Sequence, residues 1–516
     1  MSDRLDVLKQ RLAQLSDVAH AMALAHWDQQ TMMPPRGGEA RAESLATLTS
    51  ITHEMFVDDE TGRLLEAAGA ELNGAGERDP DSDDARLIRL VGRQWDKARR
   101  VPTELAAELA RAASVGQEAW IVARANSDFA SFAPYLEHNF ELARRYVDCH
   151  MSSGEFACAY DVLLDDYEPR MPTTEVRDLF DRLKAELVPL IAAVTGADPV
   201  DDAPVHAEFP VAAQRRLVRD VVTLMGFDDA GWRIDDTVHP FATRIGGGDV
   251  RITTRWDERF FPMGLYGAMH ECGHGLYEAG LPPALRRSPL GTAESLGLHE
   301  SQSRMWENMV GRGRPFATVL APRIAELAGG ELAGLDAEGL YRAVNAVRPS
   351  FIRVEADEAT YALHIILRFE LEQELIDGTL TVKELPEAWN ARFEDYFGLK
   401  VTNDADGVLQ DVHWSAGLIG YFPTYALGNL IAGQLWERAR AELSGLDGEI
   451  AAGELGSLRE WLRQRVHRHG SKFTTKELLT REAGGPVSVT PFTNYLKAKL
   501  GDVYGIDLSG QATSER

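Results

Sequence analysis

Two histidines four residues apart, His270 and His274, enclose Glu271 and Cys272 in the stretch Gly267-Ala-Met-His-Glu-Cys-Gly-His-Gly-Leu-Tyr-Glu. On an α-helix this spacing puts both imidazoles on one face, where they can point at a single ion. Glu271 lies one residue along, near enough to reach a water on that ion without ligating it. This is the H-E-x-x-H arrangement, in which the imidazoles hold zinc and the carboxylate serves as general base for hydrolysis. Catalytic zinc takes three protein ligands and keeps a fourth position for water. Glu300, in Leu298-His-Glu-Ser-Gln-Ser-Arg, is the candidate third ligand, with Glu294 and His299 as rivals. A carboxylate would leave the ion less positive than a third imidazole would. Cys272, inside the motif, is expected to be a small residue that packs well.

Two further clusters lie downstream. Arg353 and Asp357 in Ile352-Arg-Val-Glu-Ala-Asp are spaced as one helical turn, and Arg348 precedes Pro349. Such pairs are ordinarily surface i,i+4 support. In a peptidase cleft an arginine can instead grip a terminal carboxylate with two parallel hydrogen bonds. Gly407-Val-Leu-Gln-Asp-Val-His413-Trp414 then joins polar groups to aromatics, and Gly420-Tyr421-Phe-Pro-Thr-Tyr425 follows.

The elements that must position these residues are mostly helical. Leu5, Leu8, Leu12, Leu15, Val18 and Met22 form one apolar stripe that ends at the paired prolines Pro34 and Pro35. Helices are expected at about 38–56, 85–98, 103–126, 133–150, 174–195 and 207–225, with an acidic loop over 76–84. Near residue 235 the pattern changes. Thr237 to Ile245 and Val250 to Trp256 read as two strands joined by a glycine turn. They would form the edge of a small sheet to which an extended peptide could add, with Asp249, Arg251 and Thr253 alternating onto one face. The helix bearing the histidines is expected at about 261–279. The sequence therefore divides into an N-terminal helical wall, about 1–230, and a region carrying the site, about 231–516, within one domain.

Composition narrows the partners. A formal charge of −26 argues against nucleic acid or an anionic membrane. Three cysteines without framework spacing, and an N-terminus with neither basic nor apolar signal regions, suit a reducing, cytoplasmic setting. The charge-free run Ser415 to Trp436 is long enough to span a bilayer, but Pro423, Asn429 and Gln434 favour a buried core segment.

Taken together, His239-Pro-Phe, Asp249-x-Arg-x-Thr, His270-Glu-x-x-His, His299-Glu-Ser-Gln, Ile352-Arg-x-x-Ala-Asp and Gly407-x-x-Gln-Asp-x-His-Trp resemble the carboxypeptidase Taq family of metallocarboxypeptidases. The likeness runs from Trp27-Asp-x-x-Thr-x-Met-Pro to Tyr495-Leu. It implies a mainly α, single catalytic fold with a long central groove, similar to neurolysin and angiotensin-converting enzyme. It also implies a homodimer, a zinc ion for which cobalt often substitutes, and peptide substrates with a free C-terminus. Single residues would be released with broad specificity, and C-terminal proline poorly. Carried over, His270, His274 and Glu300 are the metal ligands and Glu271 the base. His413 and Tyr421 are candidates to stabilise the oxyanion, and Arg353, with Arg348 second, would recognise the terminal carboxylate. The competing readings are an oligopeptidase or dipeptidyl carboxypeptidase on the same metal core, and a non-catalytic helical scaffold.

Overall fold

A computed structural model of the chain describes residues 4–74 and 79–508. The first part is helical: α1 (Arg4–Thr31), α2 (Gly38–Val57), α3 (Asp59–Gly74), α4 (Asp83–Arg99), α5 (Thr103–Asn126), α6 (Phe129–Met151), α7 (Ala159–Leu164), α8 (Thr173–Thr195), α9 (Ala203–His206) and α10 (Val211–Met225). Strands β1 (Trp232–Asp236), β2 (Ala242–Gly246) and β3 (Asp249–Thr254) follow. The second helical part comprises α11 (Pro262–Gly280), α12 (Leu296–Arg304), α13 (Arg314–Ala328), α14 (Ala337–Ala343), α15 (Tyr361–Asp377), α16 (Leu385–Phe397), α17 (Pro423–Glu442), α18 (Leu446–Ala451), α19 (Gly456–Arg465), α20 (Thr475–Glu482) and α21 (Thr490–Tyr504). The fold class is mainly α, as expected.

Local chemistry explains the boundaries. Ser82 caps α4 by accepting from the Ala85 amide, and Asp128 caps α6 by accepting from Ser131. α3 was not among the expected helices, although Leu64, Leu65 and Ala68 give it a buried face. Residues 75–78 of the acidic stretch lie outside the described residues. In α1, Leu5, Leu8, Leu12 and Leu15 are buried, but Val18 and Met22 are only half-buried, so the stripe is shorter than its sequence period suggests.

Burial separates the N-terminal helices into two groups. α1, α3 and α4 share a small apolar core with Leu285 and Leu290, while α6 to α10 contribute to the large core that surrounds the site. α2 has no buried residue along its 20 positions. The expected hairpin is present, but β1 pairs parallel to β3 on its other side, giving the order β1-β3-β2. Strand β3 is therefore central, and Asp249, Arg251 and Thr253 do not line an edge open to a peptide. They fasten neighbours instead: Arg251 is paired to Asp249 and lies 4.2 Å over the Trp27 ring, and the Thr253 hydroxyl donates to Phe241 O at 3.0 Å.

The charge-free run becomes the buried helix α17 and the turns before it, packed against α12 and α21. No helix among the described residues is long and apolar enough to cross a membrane. α15 is buried from Tyr361 to Phe369 and reaches solvent only at Glu370, Glu374 and its end, and the polar residues His364, Arg368 and Glu372 recur on one of its faces at four-residue steps, each with no exposed surface.

Candidate active site

The histidine pair lies on α11, whose first turn is tied to the sheet by the Thr254 hydroxyl donating to Gly264 O at 3.0 Å. α12 crosses α11 at Gly273, where a Cβ would fall 2.7 Å from Ser303 Cα and 2.8 Å from Gln302 O. Only glycine permits this approach, and the approach brings Glu300 to the histidines. The start of α12 is fixed twice over. The Ser295 hydroxyl accepts from Leu298 N at 3.0 Å, and the buried Glu168 carboxylate accepts from Gly297 N at 2.5 Å.

Glu300 Oε2 lies 3.6 Å from His270 Nε2 and 3.3 Å from His274 Nε2. Four ligands placed tetrahedrally at zinc bond lengths have edges of about 3.3 Å. The three groups, with donor atoms all within 4.8 Å of one another, are the metal-competent set among the described residues. Two imidazole nitrogens and one carboxylate oxygen fit a divalent, zinc-like ion with one position left for water. The rivals are engaged elsewhere. Glu294 accepts from the Thr475 amide and hydroxyl at 3.1 and 3.0 Å, and His299 Nε2 pairs with Glu278 at 3.0 Å.

The groups behind this set differ for the two histidines. His270 Nδ1 is held by Glu307 at 2.9 Å, while Arg304 pairs with Glu300 at 2.7 Å and Arg312 with Glu307 at 3.2 Å. Glu307 lies on a π-helical stretch, Met305–Gly311, and the Asn308 carbonyl there is satisfied by Lys499 Nζ and Tyr495 OH, both at 3.1 Å. His274 Nδ1 is buried without a hydrogen-bond partner, and its ring stacks on His299 at 4.5 Å. Burial pushes Glu271 up to about 7, although His270 beside it pulls the other way. For Glu307, burial is outweighed by the bond to His270, and its carboxyl is brought down to about 2. Burial and then His299 bring His274 down to about 4, whereas Glu300 and Glu307 outweigh burial at His270 and hold it up at about 9, so an incoming ion would displace a proton there. Cys272 is fully buried, and burial raises its thiol, which suits the packing role expected for it.

A second cluster is joined to the first through Tyr361. Arg304 lies 4.1 Å over the Tyr361 ring, whose hydroxyl accepts from Arg353 at 3.0 Å. Arg353 and Arg368 then share one carboxylate, Asp411, at 2.7 and 2.8 Å. Arg353 sits in a short 3-10 turn, is buried, and does not pair with Asp357, so it is not the surface i,i+4 residue its spacing suggests. Asp357 instead accepts from the Arg348 amide at 3.0 Å. The Arg348 side chain is 62% exposed and pairs with Asp202, so it is not part of this cluster.

His413 Nε2 is 3.2 Å from the Tyr425 hydroxyl, and the Tyr421 ring lies 5.4 Å from the His413 ring. Burial, together with Arg353 and Arg368, pulls His413 down to about 3, so it is a neutral imidazole with one N–H to donate. Glu307, Tyr361, Arg368 and Tyr425 were missed as site residues in the sequence. Arg368 leaves a readable trace, as a cation beside His364 in the mainly apolar run Ala362 to Phe369, and Tyr425 closes the aromatic cluster that begins at Tyr421.

Comparison with known proteins agrees with this geometry. The description "Carboxypeptidase Taq (M32) metallopeptidase" matches residues 7–500. Thermostable carboxypeptidase 1 of Thermus thermophilus is 43% identical, over 94% of this chain and 95% of that protein. Carboxypeptidase 1 of Bacillus subtilis is 35% identical, over 96% and 97%. The crystal structure of the M32 carboxypeptidase from Deinococcus radiodurans superimposes with a TM-score of 0.93 at 37% identity, covering 98% of this chain and 100% of that one. The Trypanosoma cruzi metallocarboxypeptidase 1 structure gives 0.91 at 32% identity, covering 96% and 99%. The chain belongs to the carboxypeptidase Taq (M32) family and is a metallocarboxypeptidase.

Proposed function

We propose that His270, His274 and Glu300 hold a zinc ion, with cobalt able to replace it, and that Glu271 is the general base in removing single residues from peptides with a free C-terminus. The observation that carries this reading is that Glu300 Oε2 stands 3.6 and 3.3 Å from the two imidazole Nε2 atoms, close to a tetrahedral edge, with all three donor atoms within 4.8 Å of one another. When bound, the ion supplies Lewis acidity to the scissile carbonyl and lowers the pKa of a water. Glu271 takes the water's proton and passes it to the leaving amine, and its position near neutrality suits both transfers. His413 and Tyr421 donate to the developing oxyanion. Neutral His413 can do so without giving up a proton.

The choice of a C-terminal residue follows from charge. Arg353 and Arg368 carry two positive charges against one on Asp411, leaving a buried excess that a substrate carboxylate would balance. Arg353 is the preferred anchor, because Tyr361 and Arg304 link it directly to Glu300. The exposed Arg348 is the weaker candidate.

The test uses wild type and Glu271→Gln, each with one equivalent of zinc, on a blocked dipeptide and its C-terminal amide. Wild type should release one amino acid from the acid and leave the amide. The Gln variant should bind zinc and lose about 10²–10⁴-fold in kcat. Dipeptide or internal products would replace this reading with an oligopeptidase. An Arg353→Ala variant that keeps wild-type kcat/KM on the acid and still leaves the amide would remove Arg353 from carboxylate recognition.

A further inference from the structure

The segment between α16 and α17 carries Asp411, His413 and Tyr421, yet residues 398–422 contain neither helix nor strand. Local turn bonds, such as Leu418 N to His413 O at 2.9 Å, shape the segment within itself, and side chains from the surrounding helices fix where it lies against them. Several act on short stretches: Trp120 donates to Leu409 O at 2.8 Å, Asn139 to the adjacent carbonyls Trp414 O and Ser415 O at 2.9 and 3.0 Å, and Arg368 to Asp411 at 2.8 Å.

Glu372 is different. Its carboxylate, on the polar face of α15 and with no exposed surface, accepts three hydrogen bonds. One comes from Tyr160 OH at 2.5 Å, one from Trp414 Nε1 at 2.6 Å and one from Gly420 N at 3.0 Å. The last two donors are the immediate neighbours of His413 and Tyr421. Gly420 has φ +89°, and a Cβ there would lie 2.7 Å from the Leu163 carbonyl carbon, so the chain is threaded tightly where its N–H meets Glu372. Packing alone does not call for a carboxylate here, because burying one is costly unless its lone pairs are filled. Here they are filled by Tyr160 and by two points of the segment that lie just inside the candidate oxyanion donors, Trp414 after His413 and Gly420 before Tyr421.

We infer that Glu372 is the positioning residue of this segment, holding His413 and Tyr421 in the geometry in which they donate. The inference rests on the oxyanion role proposed above for those two residues. Glu372 touches neither substrate nor metal and acts through the chain it holds.

The experiment compares wild type, Glu372→Gln, Trp414→Phe and Tyr160→Phe as full-length, zinc-loaded enzymes. In Glu372→Gln an amide N–H₂ replaces one acceptor oxygen, so one of the two segment contacts fails. We expect kcat to fall by about ten- to a hundredfold, as a displacement of about 1 Å does, with KM within about threefold of wild type. Zinc affinity should be unchanged. Hydrogen exchange should accelerate in the peptide spanning residues 412–422 and not in α11. Trp414→Phe removes one contact conservatively and should give a smaller loss of the same kind, so the idea stays testable if the Glu372 variant does not fold. Tyr160→Phe removes the one donor not on the segment and should leave kcat nearly unchanged. In a His413→Ala, Tyr421→Phe background the Glu372→Gln effect should shrink to about twofold or less.

Unchanged kcat in a folded Glu372→Gln variant overturns the inference. So does an equal loss in the double-variant background, or a loss that tracks zinc release. If His413→Ala and Tyr421→Phe themselves leave kcat unchanged, the oxyanion assignment fails, and the exchange data alone decide whether Glu372 holds the segment.

Discussion

Three buried glutamates within one site are given different tasks by their surroundings. Glu271 has His270 as its main counter-charge and is pushed up to about 7 by burial. Glu300 is buried too, but Arg304 and the two histidines outweigh that, and its carboxyl lies well below the usual range. Glu307 is pulled down by its bond to His270. On the proposed assignment one carboxyl is thus free to take and return a proton while the other two stay ionised, one placed to face the ion and one to orient a ligand. The orienting role makes a prediction. Glu307→Ala should weaken zinc binding by about 10–100-fold, the usual cost of losing the acceptor behind a ligating histidine. Competition with a chromophoric chelator measures this. Glu271→Gln, in the same assay, should bind zinc as wild type does. Equal affinities for Glu307→Ala and wild type would sink the orienting role.

Among the elements, the crossing of α11 and α12 decides whether the site exists. Gly273 faces the backbone of Ser303 with no room for a methyl group. Gly273→Ala must push α12 away, and with it Glu300. Overpacking of this kind costs about 1–3 kcal/mol. The expected outcome is a lower denaturation midpoint together with weaker zinc binding, whereas a remote overpacked site would lower only the first. Unaltered zinc affinity would show that Glu300 is placed independently of the crossing.

The same crossing marks what the sequence made legible. His270 and His274 were readable because their spacing is a helix period, and Glu300 because its helix follows directly. The end of α5 at residue 126 and the start of α2 at residue 38 were readable from local pattern. β1 was not, because a lone five-residue strand pairing parallel across an intervening hairpin leaves no turn signature. Nor was the burial of Arg353. Its neighbours at 361, 368, 411 and 425 come from distant parts of the chain, and i,i+4 spacing reports only on local partners. Glu307 was hidden for a related reason, since a π-helical stretch departs from the α-helical period on which sequence reading depends.

For the molecule as a whole, the buried titratable groups set how stability varies with pH. Burial pushes Glu168 up to about 8 and Glu294 up to about 7. Between the unfolded value of 4.5 and these folded values, the native state keeps protons that the unfolded chain releases. Their contribution is fully present below the unfolded value and is lost as pH rises through the folded one, at up to about 1.4 kcal/mol per pH unit for each group. Buried histidines act on the other side. His150 is brought down to about 4 and His467 to about 3, both chiefly by burial, so stability is lost as pH falls below the ordinary histidine value of 6.5. Between about pH 4.5 and 6.5 the two sets oppose one another, and above pH 6.5 the glutamates act alone, so stability declines toward pH 8. Glu168 isolates the alkaline limb, because glutamine mimics its protonated form and can still accept from Gly297 N at the start of α12. Glu168→Gln should therefore match wild type near pH 5 and exceed it by about 1–3 kcal/mol near pH 8. Urea unfolding at both values checks this. Parallel pH profiles for the two proteins would mean that Glu168 is already ionised in the native state, its charge stabilised by the first turn of the helix that carries Glu300.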